Sequence, residues 1–145
     1  MIDTLSGYTS PSMITDPAVR DSLNAFIART LVGFSTPGSD VAKYFASPDV
    51  AISGSGLDEY FMGPDAVQSG LTGVTASGVR WEPRVVVSWM RDHIAWAQIR
   101  IDGHTVEDGK PVTVQYVVTG IFERSGDEWA WLYWGGGEPQ QEPRL

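Results

Sequence analysis

The apolar pattern changes its period part-way along the chain. Val19, Leu23, Phe26, Ile27, Leu31 and Phe34 recur at helical spacing, with Arg20, Asp21, Asn24 and Arg29 on the opposite face. Asp16 offers a side-chain acceptor to the first free N–H groups, and Pro17 takes the first helical position, where its missing N–H costs nothing. Thr36-Pro37-Gly38 ends this helix. Ser39-Asp40 can cap a short second helix presenting Val41, Tyr44 and Phe45, and Gly63-Pro64-Asp65 opens a third that runs through Leu71. Between those two, Val50 and Ile52, then Tyr60 and Phe61, flank Gly54-Ser55-Gly56 as a short hairpin.

From Val79 onward the period is two. Residues 79–91, 94–102, 111–124 and 129–135 are β-rich runs joined by polar, glycine-containing or charged turns, and all six tryptophans fall in this half. Helices first and long strands afterwards predict an α+β domain, with the helices laid on one face of a curved antiparallel sheet. Residues 1–15, rich in Ser, Thr, Gly and Pro without a period, read as a flexible N-terminal arm. Residues 16–139 read as a single domain and 140–145 as a tail.

Composition then narrows the function. The 145 residues are 42% apolar and 19% charged, which is too apolar for a disordered chain and enough for one core. The chain has no cysteine, so disulfides, thiolate metal sites and thiol nucleophiles are excluded. The net charge of −8 has the wrong sign for nucleic acid or an anionic membrane. Met1 to Pro11 lacks the basic start and apolar run of a secretion signal, and no window is apolar enough to span a bilayer, so a cytoplasmic protein is expected.

Familiar cofactor and metal motifs are missing. Residues 103–110 imitate a phosphate loop, but five residues separate the glycines and Pro111 follows the lysine where Ser or Thr is needed. Gly54-Ser55-Gly56 is too short for a dinucleotide fingerprint, and the acidic stretch 102–108 lacks the alternating ligands of a calcium loop. His93 and His104 both fall in predicted turns, which argues against a histidine triad or metal site. No cofactor and no metal are expected.

Pairing Ile101 near Val112 and Phe122 near Ala130 predicts which side chains share a face. Ala95, Ala97, Ile99, Val114, Tyr116, Val118, Leu132 and Trp134 fall on the side that suits the helices. Trp96, Gln98, Arg100 and Asp102 fall on the other, beside Thr113, Gln115 and Thr119, with Trp131 and Tyr133 further along. That amphipathic aromatic face suggests a pocket wall or a subunit interface. Tyr60, Tyr116 and Trp134 can line an apolar cavity and supply polar handles. Asp58 and Glu59 are adjacent carboxylates on a strand, so only one of them can enter a pocket, and Asp58 is taken as the candidate acid or base.

The stretches DVAISGSGLDEYFMGPDAV (49–67) and VTGIFERSGDEWAWLYWGGGEP (118–139) resemble the SnoaL-like branch of the nuclear-transport-factor-2-like (NTF2-like) superfamily. The resemblance implies a cone built from three N-terminal helices on a curved sheet of about six strands, with an apolar pocket and a homodimer formed through the sheet. It also implies a range of chemistries, so individual positions must choose among them. The base aspartate of the steroid-isomerase pattern is replaced by Ser53 or Gly54. Arg100-Ile101-Asp102 matches the Arg-x-Asp pair of the epoxide-hydrolase pattern, with Trp134 where a second aspartate belongs. Gly135-Gly136-Gly137 stands where many relatives carry a histidine, and reads as a flexible bulge at the pocket rim.

The sequence therefore supports three readings. One is a cofactor-free isomerase, cyclase or epoxide hydrolase acting on a small hydrophobic, polyketide- or terpene-like molecule by Asp or Tyr acid–base chemistry. The others are a non-catalytic carrier of an apolar ligand and a structural dimerisation or association domain. Arg100, Asp102 and Asp58 are the catalytic candidates, and Tyr60, Trp96, Gln98, Tyr116 and Trp134 the ligand-binding candidates.

Overall fold

The computed structural model describes residue 2 and residues 7–139. The expected tail, 140–145, lies outside the described residues. Helix α1 spans Pro17–Phe34, with the Asp16 carboxylate accepting from the Ala18 N–H at 2.9 Å. Its apolar stripe is buried at Leu23, Phe26, Ile27, Leu31 and Phe34. The expected second helix is a correction: Val41–Phe45 forms only a five-residue 3-10 turn, so the domain has two α-helices, not three. Pro48 follows too soon after Ser39-Asp40 for a full α-helical segment. Helix α2, Pro64–Thr75, runs a turn beyond Leu71. Gly63 adopts φ 86 before it, a conformation that favours glycine, while its N–H donates to the Val50 carbonyl at 2.8 Å.

Six strands form one sheet: β1 Ala51–Ser53, β2 Tyr60–Met62, β3 Arg80–Arg91, β4 Ile94–Glu107, β5 Lys110–Ser125 and β6 Glu128–Gly137. Their spatial order is β2-β1-β6-β5-β4-β3. The sheet is not wholly antiparallel, because β1 runs parallel to β6. Chain entry through the helices leaves the short first hairpin to dock on the last strand.

Two register details differ from the sequence reading. Strand β4 continues to Glu107 and turns at Asp108-Gly109, both with positive φ, so Ile101 pairs with Tyr116 and not with Val112. A two-residue Asp-Gly turn sets this register, and it moves His104 from a turn onto a strand. In β6 a shift between Ile121 and Phe122 pairs Phe122 with Trp131 and Gly120 with Trp134. The extra residue puts Trp131 and Trp134 on the same, helix-facing side, so Trp131 is a core residue and not an outer-face one.

Trp131 is the centre of the core, with no exposed area. It stacks on Phe45 at 5.4 Å and meets Phe122 at 4.3 Å and Trp134 at 5.0 Å. Its indole N–H donates to Thr30 Oγ1 at 2.9 Å, and the Thr30 hydroxyl donates to the Phe26 carbonyl at 3.0 Å. The largest core side chain thus carries its polar atom into the interior without leaving it unpaired.

The arm expected to be flexible is tied down over residues 10–14. Met13 bridges Trp89, the Met90 N–H donates to the Ser12 carbonyl, and the Ile14 N–H donates to the Ser88 carbonyl. Trp89 Nε1 and Arg91 Nε donate to the Ser10 and Ser12 hydroxyls, each at 3.0 Å. Main-chain pairing with the open edge of β3 needs no apolar period, which is why composition did not announce it.

Candidate functional site

The helices, the β1–β2 hairpin and the helix-facing side of the sheet enclose a cavity of about 370 Å³. Phe34 comes from α1, Gly70, Leu71 and Val74 from α2, and Ile52 and Phe61 from the first hairpin. The sheet contributes Trp81, Ile101, Gly103, Thr105, Val114, Tyr116 and Trp134. Gly54, Ser55, Glu59, Val79 and Glu138 complete the lining. The walls are apolar because strand alternation sends Ile101, Tyr116 and Trp134 to the side that carries the core.

Tyr116 and Trp134 supply the polar handles. Tyr116 meets Trp81 edge-on at 5.7 Å, and Trp134 meets Phe34 edge-on at 5.1 Å. A methyl group added at Gly136 would lie 2.7 Å from the Tyr116 hydroxyl and 2.9 Å from Trp134 Nε1. The two donors therefore converge over a residue that has no side chain. Among the described residues neither has a hydrogen-bond partner, whereas Trp89, Trp129 and Trp131 each donate to a serine or threonine hydroxyl. Trp81 Nε1 is also buried without a protein partner.

The glycine run is not the expected bulge. Gly135, Gly136 and Gly137 pair regularly with Thr119, Val118 and Val117. Missing side chains, not irregular backbone, make the room that Tyr116 and Trp134 occupy.

Glu59 is the carboxylate that the sequence reading passed over. Asp58 and Tyr60 are exposed and do not line the cavity, while Glu59 stands at its rim. The Gly56 N–H donates to Glu59 Oε1 at 2.7 Å, which folds the side chain back over the hairpin tip. Alternation along β2 supplies the signal: Phe61 faces inward, so Tyr60 faces outward.

Trp96, Gln98, Arg100 and Asp102 do not line this cavity; they occupy the sheet face away from the helices. Ile99 and Ile101 on the same strand take the inward positions. Trp96 stacks on Trp89 at 6.4 Å, and Gln98 and Arg100 line a groove over Gly135–Gly137. Arg84 Nε approaches Asp102 Oδ2, and Arg84 also approaches Glu82 Oε1, each at 3.5 Å. His104 Nε2 lies 3.2 Å from Glu82 Oε1, and its Nδ1 lies 3.0 Å from Thr113 Oγ1. The hydrogen bond from His104 holds the Glu82 carboxyl below its ordinary range. Glu82, Asp102 and His104 can bring ligand atoms within 4.8 Å of one another, but Arg84 already pairs with both carboxylates, so the set reads as an ion-pair network.

No family model and no curated protein matches the chain. Solved structures do match it. A proposed dehydratase of the NTF2-like family from Streptomyces avermitilis superposes with a TM-score of 0.74 at 13% identity, covering 86% of this chain and 99% of that one. An NTF2-like superfamily protein from Salmonella enterica gives 0.71 at 12% identity, covering 87% and 94%. The fold is NTF2-like. A proposed ketosteroid isomerase from Shewanella frigidimarina gives 0.61 at 13% identity, covering 84% and 96%. Identities this low carry the NTF2-like fold and leave the reaction to the site. No helix among the described residues is long and apolar enough to cross a membrane.

Proposed function

We propose that this chain binds a small, mostly apolar molecule through an oxygen acceptor that takes hydrogen bonds from Tyr116 and Trp134. The observation that supports the reading is the pair of donors, without hydrogen-bond partners among the described residues, that converge over Gly136 beside a cavity with mostly apolar inner walls and its carboxylates at the rim. The volume falls within the usual range for small-molecule sites, roughly 300–1,000 Å³. The two stretches that resemble SnoaL-like proteins supply Ile52, Glu59, Phe61, Trp134 and Glu138 to this lining, which favours that branch of the NTF2-like fold. The test is titration with an aryl ketone, acetylnaphthalene, against ethylnaphthalene as its hydrocarbon counterpart. The ketone binds more tightly and raises the melting temperature by mass action. Equal affinity for the two removes the donor pair from the reading.

The same geometry favours a second reading as an isomerase-type enzyme. Paired donors stabilise negative charge developing on a carbonyl oxygen, and Glu59, one of two carboxylates in the same lining, can accept a proton. Arg100, Asp102 and Asp58 take no part in this reading, since they stand outside the cavity. Conversion of a bound enone by wild type, lost in Glu59→Gln, separates enzyme from carrier. For assembly we propose a homodimer through the outer sheet face, where Val85, Val117 and the Trp89–Trp96 stack lie away from the helices.

A further inference from the structure

We infer that the guest is a cation: an apolar amine whose ammonium group sits against Glu59 and Glu138 at the cavity rim. The inference rests on the binding reading above and names the class of molecule that the same site selects. Among the described lining residues, Glu59 and Glu138 are the charged groups, and both are acidic. Both also line one adjoining recess with Gly54, Ser55 and Gly136, so the two carboxylates share a rim next to the donor pair.

Among the described residues, neither glutamate is in a salt bridge with a lysine, arginine or histidine. Glu59 Oε1 is held by the Gly56 N–H at 2.7 Å, which orients the group while its second oxygen has no partner among the described residues. Behind the rim, Phe34, Phe61, Trp81, Tyr116 and Trp134 present aromatic rings that attract an ammonium group and pack against its apolar body. A carboxylate or phosphate guest meets two like charges here on a protein of net charge −8. A neutral guest forms no ion pair with either glutamate.

The experiment uses three probes with one methoxynaphthalene body, whose ether oxygen serves Tyr116 and Trp134, ending in ethylamine, ethanol or acetate. Each is titrated at neutral pH into wild type, Glu59→Gln, Glu138→Gln and the double variant, with tryptophan fluorescence and calorimetry as readouts. Both glutamates are exposed. Two solvent-screened ion pairs then make the amine roughly two- to thirtyfold tighter than the alcohol, and the acetate weakest. The preference shrinks as salt is raised. In the double variant the amine falls to the level of the alcohol, whose own affinity stays unchanged. Equal affinities of amine and alcohol for wild type overturn this inference and leave the binding reading standing. Failure of all three probes to bind overturns the binding reading itself. An amine preference that survives in the double variant overturns the assignment to Glu59 and Glu138.

Discussion

Removing one oxygen atom from the cavity wall tests the donor pair directly. In Tyr116→Phe the ring keeps its edge-on contact with Trp81, and the hydroxyl that disappears has no protein partner among the described residues. Folding stability is therefore expected to change by less than about 0.5 kcal/mol, as for a substitution that breaks no native contact. A neutral hydrogen bond from that hydroxyl to a guest contributes about 0.5–1.5 kcal/mol, so affinity for acetylnaphthalene should fall about two- to thirteenfold. Ethylnaphthalene, which offers no acceptor, should bind both proteins equally. Gly136→Ala is the companion variant, because its methyl group would stand 2.7 Å from the phenol oxygen and 2.9 Å from the indole nitrogen. Blocking both donors should cost the ketone about 1–3 kcal/mol, or about five- to 150-fold. The assay is titration by tryptophan fluorescence, with urea unfolding as the control for stability. An unchanged ketone-to-hydrocarbon ratio in Tyr116→Phe would refute the reasoning, since the hydroxyl would then make no bond to the guest.

Other consequences follow from the packing and the outer face. Thr30→Val removes the acceptor of the buried Trp131 N–H and should destabilise the fold by about 1–3 kcal/mol in urea titration; a change below about 0.5 kcal/mol would show that the interior supplies another partner. Glu82 is held below its usual value of 4.5 chiefly by its hydrogen bond from His104, so its contribution is present above that unfolded value and is lost as pH falls through the lower folded one. Glu82→Gln should therefore flatten the loss of melting temperature below about pH 4.5, and parallel curves for wild type and variant would contradict the pairing. Val117 is 40% exposed on the outer face, so Val117→Asp should leave the fold intact and turn a dimer into monomers in sedimentation. A wild-type monomer at high micromolar concentration would remove the proposed interface.

The sequence by itself determined the order of helices and strands, except that the expected second helix forms only a 3-10 turn. Asp16-Pro17 and the spacing from Val19 to Phe34 specify α1, and Gly63-Pro64 specifies the start of α2, because capping and amphipathic period are local properties. Inward positions for Tyr116 and Trp134 were also legible from alternation along their strands. Partnership between strands was not. The Asp108-Gly109 turn and the extra residue in β6 shift the register, which moves His104 onto a strand and Trp131 into the core. Parallel docking of β1 on β6 brings Glu59 to the same rim as Glu138, residues far apart in the chain. Alternation already set Arg100 and Asp102 on the face away from the helices; what the tertiary structure decided is that the cavity forms on the helix side and leaves them outside it. Periodicity is written residue by residue along one strand, whereas a site is assembled from residues whose only relation is the fold that places them together.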